Sequence, residues 1–231
     1  MTVGRFVNSK GMEEEKEPSL LKSFTLQKGE VMCAVSHGEF KHLAAGLSSG
    51  SILLLPTGPK EKSQKLHGHK GAVTCVVSAR QNPYLATGSA DTTVRLWPGN
   101  DLGDSFALKI GEAPVTSISG SAKLDSLLVA DMAPSVSLWD PRHGKKILDF
   151  PEHESAINEV SLSFDGLTAA SGTEDGVLRL FDMRTGEITQ EFKAQSGILS
   201  TALRVTGNSV AVGCTDGRVA LFDTRTEGTI V

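Results

Sequence analysis

The chain is patterned as short apolar or alternating runs separated by glycine, asparagine, aspartate and proline. In the best-formed stretch the apolar runs are Val73–Val77, Tyr84–Gly88 and Val94–Trp97, with turn residues at 81–83 and 91–93. Apolar runs of this length are typical of β-strands, and the polar clusters between them are typical of turns. The pattern therefore predicts an all-β chain.

The same pattern recurs with a period of about 42 residues. Each unit closes on a large apolar residue, and the closing residues are Leu55, Trp97, Trp139, Phe181 and Phe222. One further β segment lies between consecutive units, for example Lys146–Phe150 and Ile188–Phe192, so each unit has four strands. Units of this size cannot bury their apolar faces alone and have to stack. We expect one domain of five stacked units over residues 20–231.

Gly68-His69 to Trp97, Glu152-His153 to Phe181-Asp182 and the constant period resemble the WD-repeat (WD40-type) β-propeller family, over essentially all residues after the first 19. The resemblance implies a propeller with five recognisable four-stranded blades. Because the family usually has about seven blades, two alternatives stay open. The array is an incomplete seven-blade propeller, or it is a closed five-blade ring in which Leu21–Leu26 supplies the outer strand of the fifth blade. We expect the first, with the array truncated or completed by a partner.

The resemblance also implies a hydrogen-bonded tetrad inside a blade, made by a histidine, a strand serine or threonine, a turn aspartate and the closing tryptophan. The second unit supplies a complete structural tetrad, namely His69, Thr87, Asp91 and Trp97. The fourth supplies a partial tetrad of His153, Ser171 and Asp175, with Phe181 in place of tryptophan. We therefore expect one complete network.

Composition and charge narrow the class of protein. A net charge of −4 and a pI near 5.9 give no support for direct nucleic-acid binding. No apolar run reaches the ~18 residues of a membrane span, so we expect no membrane insertion. Residues 1–19 are charged and end near a proline, which predicts a disordered acidic tail. Cys33 and Cys75 occupy equivalent strand positions, so we expect buried structural thiols and an intracellular protein, cytoplasmic or nuclear.

His69, Asp91 and Thr87 could suggest a nucleophilic triad. They sit at positions that the fourth unit repeats in part, and repetition at the structural period favours a scaffold role. His67 and His69 could begin a metal site, but no further histidine or cysteine has a clear place in it, and the chain has neither a phosphate-binding glycine loop nor an HExxH motif. We expect no catalytic residue, no metal and no cofactor, and hence no enzyme.

Proteins of this family mostly act as rigid platforms, and the resemblance implies a non-catalytic scaffold or adaptor that binds peptides or partner domains on one propeller face. The expected partners are other proteins in a multiprotein complex. The candidate partner-binding residues on that face are Lys70, Glu112, Glu154 and Glu174. The glutamates would favour a basic segment of the partner.

An alternative function follows from three arginines that stand two residues after the aspartate of a closing pair. They are Arg142, Arg184 and Arg225. In a subset of the family, Trp-Asp-x-Arg marks docking onto the adaptor of cullin-type ubiquitin ligases, so the alternative is a substrate receptor of such a ligase. Two of the three units have phenylalanine in place of tryptophan.

Overall fold

The computed structural model describes residues 29–37, 42–58, 62–78, 84–98, 104–120, 125–203, 208–225 and 228–230. These residues form twenty strands in five four-stranded antiparallel sheets, and none of them is helical. This confirms the predicted all-β fold with five four-stranded units. The predicted acidic tail and the segment Leu21–Leu26 lie outside the described residues.

Each sheet is a meander whose four strands follow chain order from one edge to the other. Sheet 1 contains β1 (Val31–His37), β2 (His42–Leu47), β3 (Ile52–Pro56) and β4 (Gln64–Leu66). Sheet 2 contains β5 (Val73–Ser78), β6 (Leu85–Ser89), β7 (Thr93–Trp97) and β8 (Phe106–Lys109). Sheet 3 contains β9 (Val115–Gly120), β10 (Leu127–Asp131), β11 (Val136–Asp140) and β12 (Lys145–Asp149).

The remaining two sheets repeat the plan. Sheet 4 contains β13 (Ile157–Leu162), β14 (Thr168–Thr173), β15 (Val177–Asp182) and β16 (Ile188–Lys193). Sheet 5 contains β17 (Ile198–Leu203), β18 (Ser209–Cys214), β19 (Val219–Asp223) and β20 (Gly228–Ile230). The closed-ring alternative assigned the outer strand of this last sheet to Leu21–Leu26. In the structure that position belongs to β20, because Ile230 pairs with Leu221 of β19.

Consecutive sheets pack face to face through four hydrophobic clusters. The closing residue of each sheet from the second onward fills the space against the preceding sheet. Phe181 packs against Phe150 with ring centroids 4.9 Å apart, and Phe222 packs against Phe192 at 5.0 Å. In sheets 2 to 5 the closing position is therefore large and apolar because it seals an interface between two sheets. Within the described residues, no cluster joins sheet 5 to sheet 1.

Candidate functional site

The predicted tetrad residues of sheet 2 lie within hydrogen-bonding distance of one another. His69 Nδ1 is 3.0 Å from Asp91 Oδ2, and His69 Nε2 is 2.8 Å from Thr87 Oγ1. The Trp97 indole N–H donates to the same Thr87 oxygen at 2.9 Å. The network therefore assigns a direction to each bond: Trp97 donates to Thr87, the Thr87 hydroxyl donates to His69 Nε2, and His69 Nδ1–H donates to Asp91.

The electrostatics of the network match that direction. Burial lowers the pKa of His69 despite the neighbouring Asp91 carboxylate, which keeps the imidazole neutral at pH 7. Burial opposes ionisation of Asp91, but hydrogen bonds from Thr93 and from the Lys70 amide outweigh it and lower the pKa of Asp91 to about 2. The Thr87 hydroxyl is fully buried, and both of its hydrogen-bonding roles are used inside the sheet. The group is thus built to hold the sheet together and presents no accessible nucleophile.

Thr93 is a member of this network that sequence reasoning missed. Its hydroxyl donates to Asp91 Oδ1 at 2.6 Å and lies 3.2 Å from His69 Nδ1. Its backbone N–H also donates to Asp91 Oδ1. The available signal was the hydroxyl two residues after a turn aspartate, which is a common local hydrogen-bonding pattern.

The partial tetrad of sheet 4 is divided into two groups. His153 Nε2 lies 2.7 Å from Ser171 Oγ, and the histidine ring meets the Phe181 ring nearly edge-on at 6.3 Å. Asp175 instead accepts from the Thr173 hydroxyl at 2.5 Å and from Lys193 at 3.2 Å. The structure therefore joins His153 to Ser171 but not to Asp175.

Sheet 3 satisfies the same positions with other residues. Valine stands at 129, where sheet 2 has Thr87, so the Trp139 indole donates to Ser137 Oγ at 2.9 Å instead. The turn aspartate is replaced by Ala133, and the buried Asp131 takes over by accepting from the Ala133 amide and the Ser135 hydroxyl, each at 2.9 Å. Neither replacement acceptor was identified from the sequence, because Ser137 lies eight residues after Val129, on the next strand, and Asp131 lies two residues before Ala133.

The buried His153 predicts a pH-dependent stability. Burial, helped by the charge of Arg179, lowers the pKa of His153 to about 4, whereas an unfolded histidine titrates near 6.5. The folded state therefore binds fewer protons between these values, so stability is complete above pH 6.5 and is lost as pH falls towards 4. We expect His153→Gln to reduce that loss by up to about 1.4 kcal/mol per pH unit.

Urea unfolding between pH 4 and 7 measures this effect. His143→Gln is the matched control, because the His143 side chain is 78% exposed. The control should keep the pH dependence of the wild-type chain. Equal pH dependence in wild type and His153→Gln would contradict the expectation.

A backbone hydrogen bond that recurs in all five sheets brings two loops together at one end of each sheet. It joins the turn after the second strand to the loop before the first strand. The five bonds are Ser48 N to Glu30 O, Ala90 N to Ala72 O, Met132 N to Pro114 O, Glu174 N to Ala156 O, and Thr215 N to Gly197 O. We call this end of the sheets the loop rim. Lys70, Glu112, Glu154 and Glu174 all lie exposed on it.

The acidic residues of the loop rim differ in how their charge is compensated. Glu112 pairs with Lys109 at 2.6 Å, so its charge is largely neutralised locally. Glu154 and Glu174 of sheet 4 make no ion pair with any other described residue. Met132, 59% exposed, lies on the rim of the adjacent sheet 3. Two uncompensated rim carboxylates therefore lie on sheet 4, next to the sheet that carries the exposed Met132.

The three candidate docking arginines lie at the opposite end, in the turns between the third and fourth strands, and they are not equivalent. Arg184 forms an ion pair with Asp182, and Arg225 forms one with Asp223, each with an N–O distance of 2.6 Å. At Arg142 the corresponding carboxylate of Asp140 is occupied by His143 at 2.7 Å. The Arg142 guanidinium has no partner among the described side chains.

Arg142 also lines a cleft between sheets 2 and 3 with a volume of about 300 Å³. The other lining residues are Tyr84, Leu96, Pro98, Phe106 and Pro141. A free guanidinium beside apolar and aromatic side chains could receive a carboxylate next to an apolar group. Arg184 and Arg225 do not line this cleft.

The cysteines are shielded. Burial raises the pKa of Cys33 to about 11 and that of Cys75 to about 12, so both thiols stay protonated and unreactive at pH 7. Among the described residues, no three histidine, cysteine, aspartate or glutamate side chains are grouped to hold a metal ion. No helix capable of spanning a membrane occurs in the described ranges.

The comparisons with known proteins agree with this architecture. The family model described as "WD domain, G-beta repeat" matches residues 60–98 and 144–182. Each match begins shortly before the fourth strand of one sheet and ends one residue after the closing residue of the next sheet. The two matches therefore contain His69 to Trp97 and His153 to Phe181, the stretches that carried the sequence resemblance.

Curated relatives match this chain over less than a third of their own length. Eukaryotic translation initiation factor 3 subunit I of Bombyx mori is 30% identical over 41% of this chain and 29% of the relative. The COMPASS component SWD3 of Saccharomyces cerevisiae is 28% identical over 38% of this chain and 30% of its own length. The guanine nucleotide-binding protein subunit beta of Oryza sativa subsp. indica is 33% identical over 36% of this chain and 22% of its own length. The chain thus spans less than a third of these relatives. The repeat matches and the five four-stranded sheets together show that this chain contains WD repeats and has the sheet architecture of WD-repeat β-propeller blades.

Proposed function

We propose that the chain is a non-catalytic scaffold or adaptor that binds a peptide or a partner domain on its loop rim. The observation that carries the proposal is the recurrent backbone hydrogen bond that fixes two loops at the same end of every sheet. This bond gives a rigid surface built from exposed loop residues. The polar side chains of the tetrad, in contrast, form hydrogen bonds with one another inside sheet 2. Binding residues are often found on loops that a rigid scaffold positions.

The relatives support the same class of function. By name, one is a subunit of an initiation factor, one is a component of COMPASS and one is a subunit of a guanine nucleotide-binding protein. We extend from them only the general role of a subunit in a multiprotein complex. An intracellular chain without a cofactor or metal, which the sequence leads us to expect, would fit that role.

Glu154 and Glu174 are the proposed centre of the rim site, with Lys70 and Glu112 at its periphery. The two carboxylates are uncompensated and would attract lysine or arginine of a partner, while Met132 would contact an apolar side chain next to them. Combining Glu154→Lys with Glu174→Lys should slow association about tenfold at low salt and much less at high salt, because surface charge acts mainly on the association rate. Affinity purification followed by kinetic binding to the recovered partner measures this.

A matched control separates the rim from a general change of charge. Glu187→Lys combined with Asp104→Lys makes the same change in net charge at exposed positions away from the rim. That variant should bind like wild type. Unchanged association of the folded Glu154→Lys, Glu174→Lys variant at low salt would remove the rim of sheet 4 as the binding site.

The second candidate function is a substrate receptor of a cullin-type ubiquitin ligase. Its support is restricted to Arg142, which is unpaired and lines a cleft, whereas Arg184 and Arg225 are held by their own aspartates. In the same purification, Arg142→Ala should lose a ligase adaptor, and Arg184→Ala should retain it. Absence of any such adaptor from the wild-type sample excludes this candidate and leaves the rim proposal intact.

A further inference from the structure

Repeat-equivalent positions are buried in four sheets and exposed in the fifth. The third strand of each sheet presents two apolar side chains to the following sheet. In sheets 1 to 4 the first of these is at most 1% exposed, and the residues are Ile52, Val94, Val136 and Leu178. Their counterpart in sheet 5, Val219, is 75% exposed. The second is at most 6% exposed at Leu54, Leu96, Leu138 and Leu180, but 38% exposed at Leu221.

Glycine positions show what covers these side chains. A Cβ added at Gly46 would lie 2.5 Å from Val73 Cγ1, and one at Gly172 would lie 2.5 Å from Ile198 Cγ2. Each glycine thus makes room for the β-branched residue that begins the first strand of the next sheet. Gly213 is the equivalent residue of sheet 5, and the neighbours of its added Cβ come only from Ser200 of its own sheet.

A second glycine position gives the same result independently. Gly50 and Gly176, in the turn before the third strand, each lie close to carbonyl oxygens of the next sheet, with added-Cβ distances of 2.8 Å to Gly71 O and 2.6 Å to Ser196 O. Gly217 has the same positive φ, 84°, but nothing within 4 Å. Sheet 5 therefore has the glycines that make room for a following sheet, but no described residue of another sheet packs against them.

The matching half of that interface is exposed on sheet 1. The residue that begins the first strand is fully buried in sheets 2 to 5, at Val73, Val115, Ile157 and Ile198. Its counterpart Val31 is 53% exposed. The β-bulge beside this residue is present at Val31 as it is in the other first strands. Ala34 is also exposed, whereas its equivalents Ile118 and Val160 are buried.

We propose that the fifth-sheet face (Leu199, Gly213, Val219 and Leu221) binds the first-sheet face (Val31, Ala34 and Leu43) of a second copy of this chain. Three interfaces inside the molecule show that a β-branched first-strand residue fills the space left by a glycine of the preceding sheet, at Gly46, Gly88 and Gly172. Val31 is the remaining residue of this kind among the described first strands, and it is exposed in the same molecule that leaves Gly213 uncovered. All of these side chains are uncharged, so no ion pair has to be desolvated on binding.

The two faces differ from each other, so the contact is heterologous and joins copies head to tail. Each copy then has one fifth-sheet face and one first-sheet face, and the proposal can be tested by blocking the two faces separately. Val219→Glu with Leu199→Glu blocks the fifth-sheet face. Val31→Glu with Ala34→Glu blocks the first-sheet face. All four positions are exposed, so the sheets should still fold.

The measurement is the molar mass of the intact chain by light scattering across a wide range of concentrations. Wild type should rise from 24.4 kDa to at least twice that mass, and each blocked variant should remain monomeric. An equimolar mixture of the two variants should form dimers and nothing larger, because it contains one intact face of each kind per pair. Ile147→Glu with Leu167→Glu, at exposed apolar positions elsewhere, is the control and should associate like wild type.

Three results would overturn the proposal. A wild-type chain that stays monomeric at every concentration would show that a second copy does not cover the face, whether it remains open, is closed by the chain itself or is reserved for a different protein. Association that persists in both blocked variants would place the contact elsewhere. Two variants that remain monomeric when mixed, each with a native circular dichroism spectrum, would exclude the head-to-tail arrangement.

Discussion

Thr87→Val should destabilise the chain by about 3 kcal/mol, and this is the largest effect that we expect from removing a single hydroxyl. Valine nearly matches threonine in shape, so the change removes hydrogen bonds rather than volume. The fully buried hydroxyl serves two partners, the Trp97 indole N–H at 2.9 Å and His69 Nε2 at 2.8 Å. Leaving a buried polar group unsatisfied costs about 1–3 kcal/mol, and two such groups are left here. Urea denaturation at pH 7 measures the change.

A double-mutant cycle distinguishes a coupled network from independent contacts. Trp97→Phe alone should cost about 1–2 kcal/mol, because it leaves the Thr87 oxygen without its donor. Combined with Thr87→Val, the cost should be clearly less than the sum, since the indole N–H is no longer present to be stranded. Thr189→Val, at an exposed strand position, is the control and should cost little. Fully additive costs would contradict the network.

The architecture could be predicted well from the sequence, because the closing residues and the turn glycines each meet a requirement that recurs at the same position of the repeat. Trp97, Phe181 and Phe222 seal equivalent interfaces, so a single period locates all of them. The positive φ of Gly176 and Gly217 likewise requires a residue without a side chain. Each of these requirements falls on a single residue and does not depend on which residue is its neighbour, so it can be identified from one sequence.

Features that depend on pairs of residues were harder to predict. The acceptor for the Trp139 indole moved to Ser137, and the turn carboxylate moved to Asp131, because in each case a neighbour had already changed. Similarly, three arginines in the same motif differ in availability because His143 takes the carboxylate that would have held Arg142. A sequence pattern shows which groups are present, but the competition between neighbouring donors is decided by distances.

The rim shows the same limitation. Four candidate partner-binding residues were identified from their repeat positions, and all of them are exposed. Whether Glu112 contributes charge depends on Lys109, three residues earlier on the outer strand, which pairs with it at 2.6 Å. The sequence spacing alone did not distinguish that paired glutamate from the unpaired Glu154 and Glu174.

Gly172→Ala should be strongly destabilising even though it adds a single methyl group. The added Cβ would lie 2.5 Å from Ile198 Cγ2 and 2.8 Å from Thr201 Cγ2, both on the first strand of the following sheet. These atoms belong to a packed interface and cannot rotate away freely, so we expect a cost of about 2–3 kcal/mol from overpacking. The backbone at Gly172 has no positive φ, so the penalty arises from lack of space rather than from backbone strain. Urea unfolding of dilute protein measures it.

The matched control is Gly213→Ala, the same change at the equivalent position of sheet 5. There the added Cβ would come within 3 Å of the Ser200 hydroxyl alone, and a hydroxyl at the end of a side chain can rotate. We therefore expect a cost below about 1 kcal/mol. Combining Gly172→Ala with Ile198→Ala should cost less than the sum of the single changes, because the shortened side chain removes one of the two clashes. Equal costs at Gly172 and Gly213 would mean that the fifth-sheet face is covered as fully as the face of sheet 4.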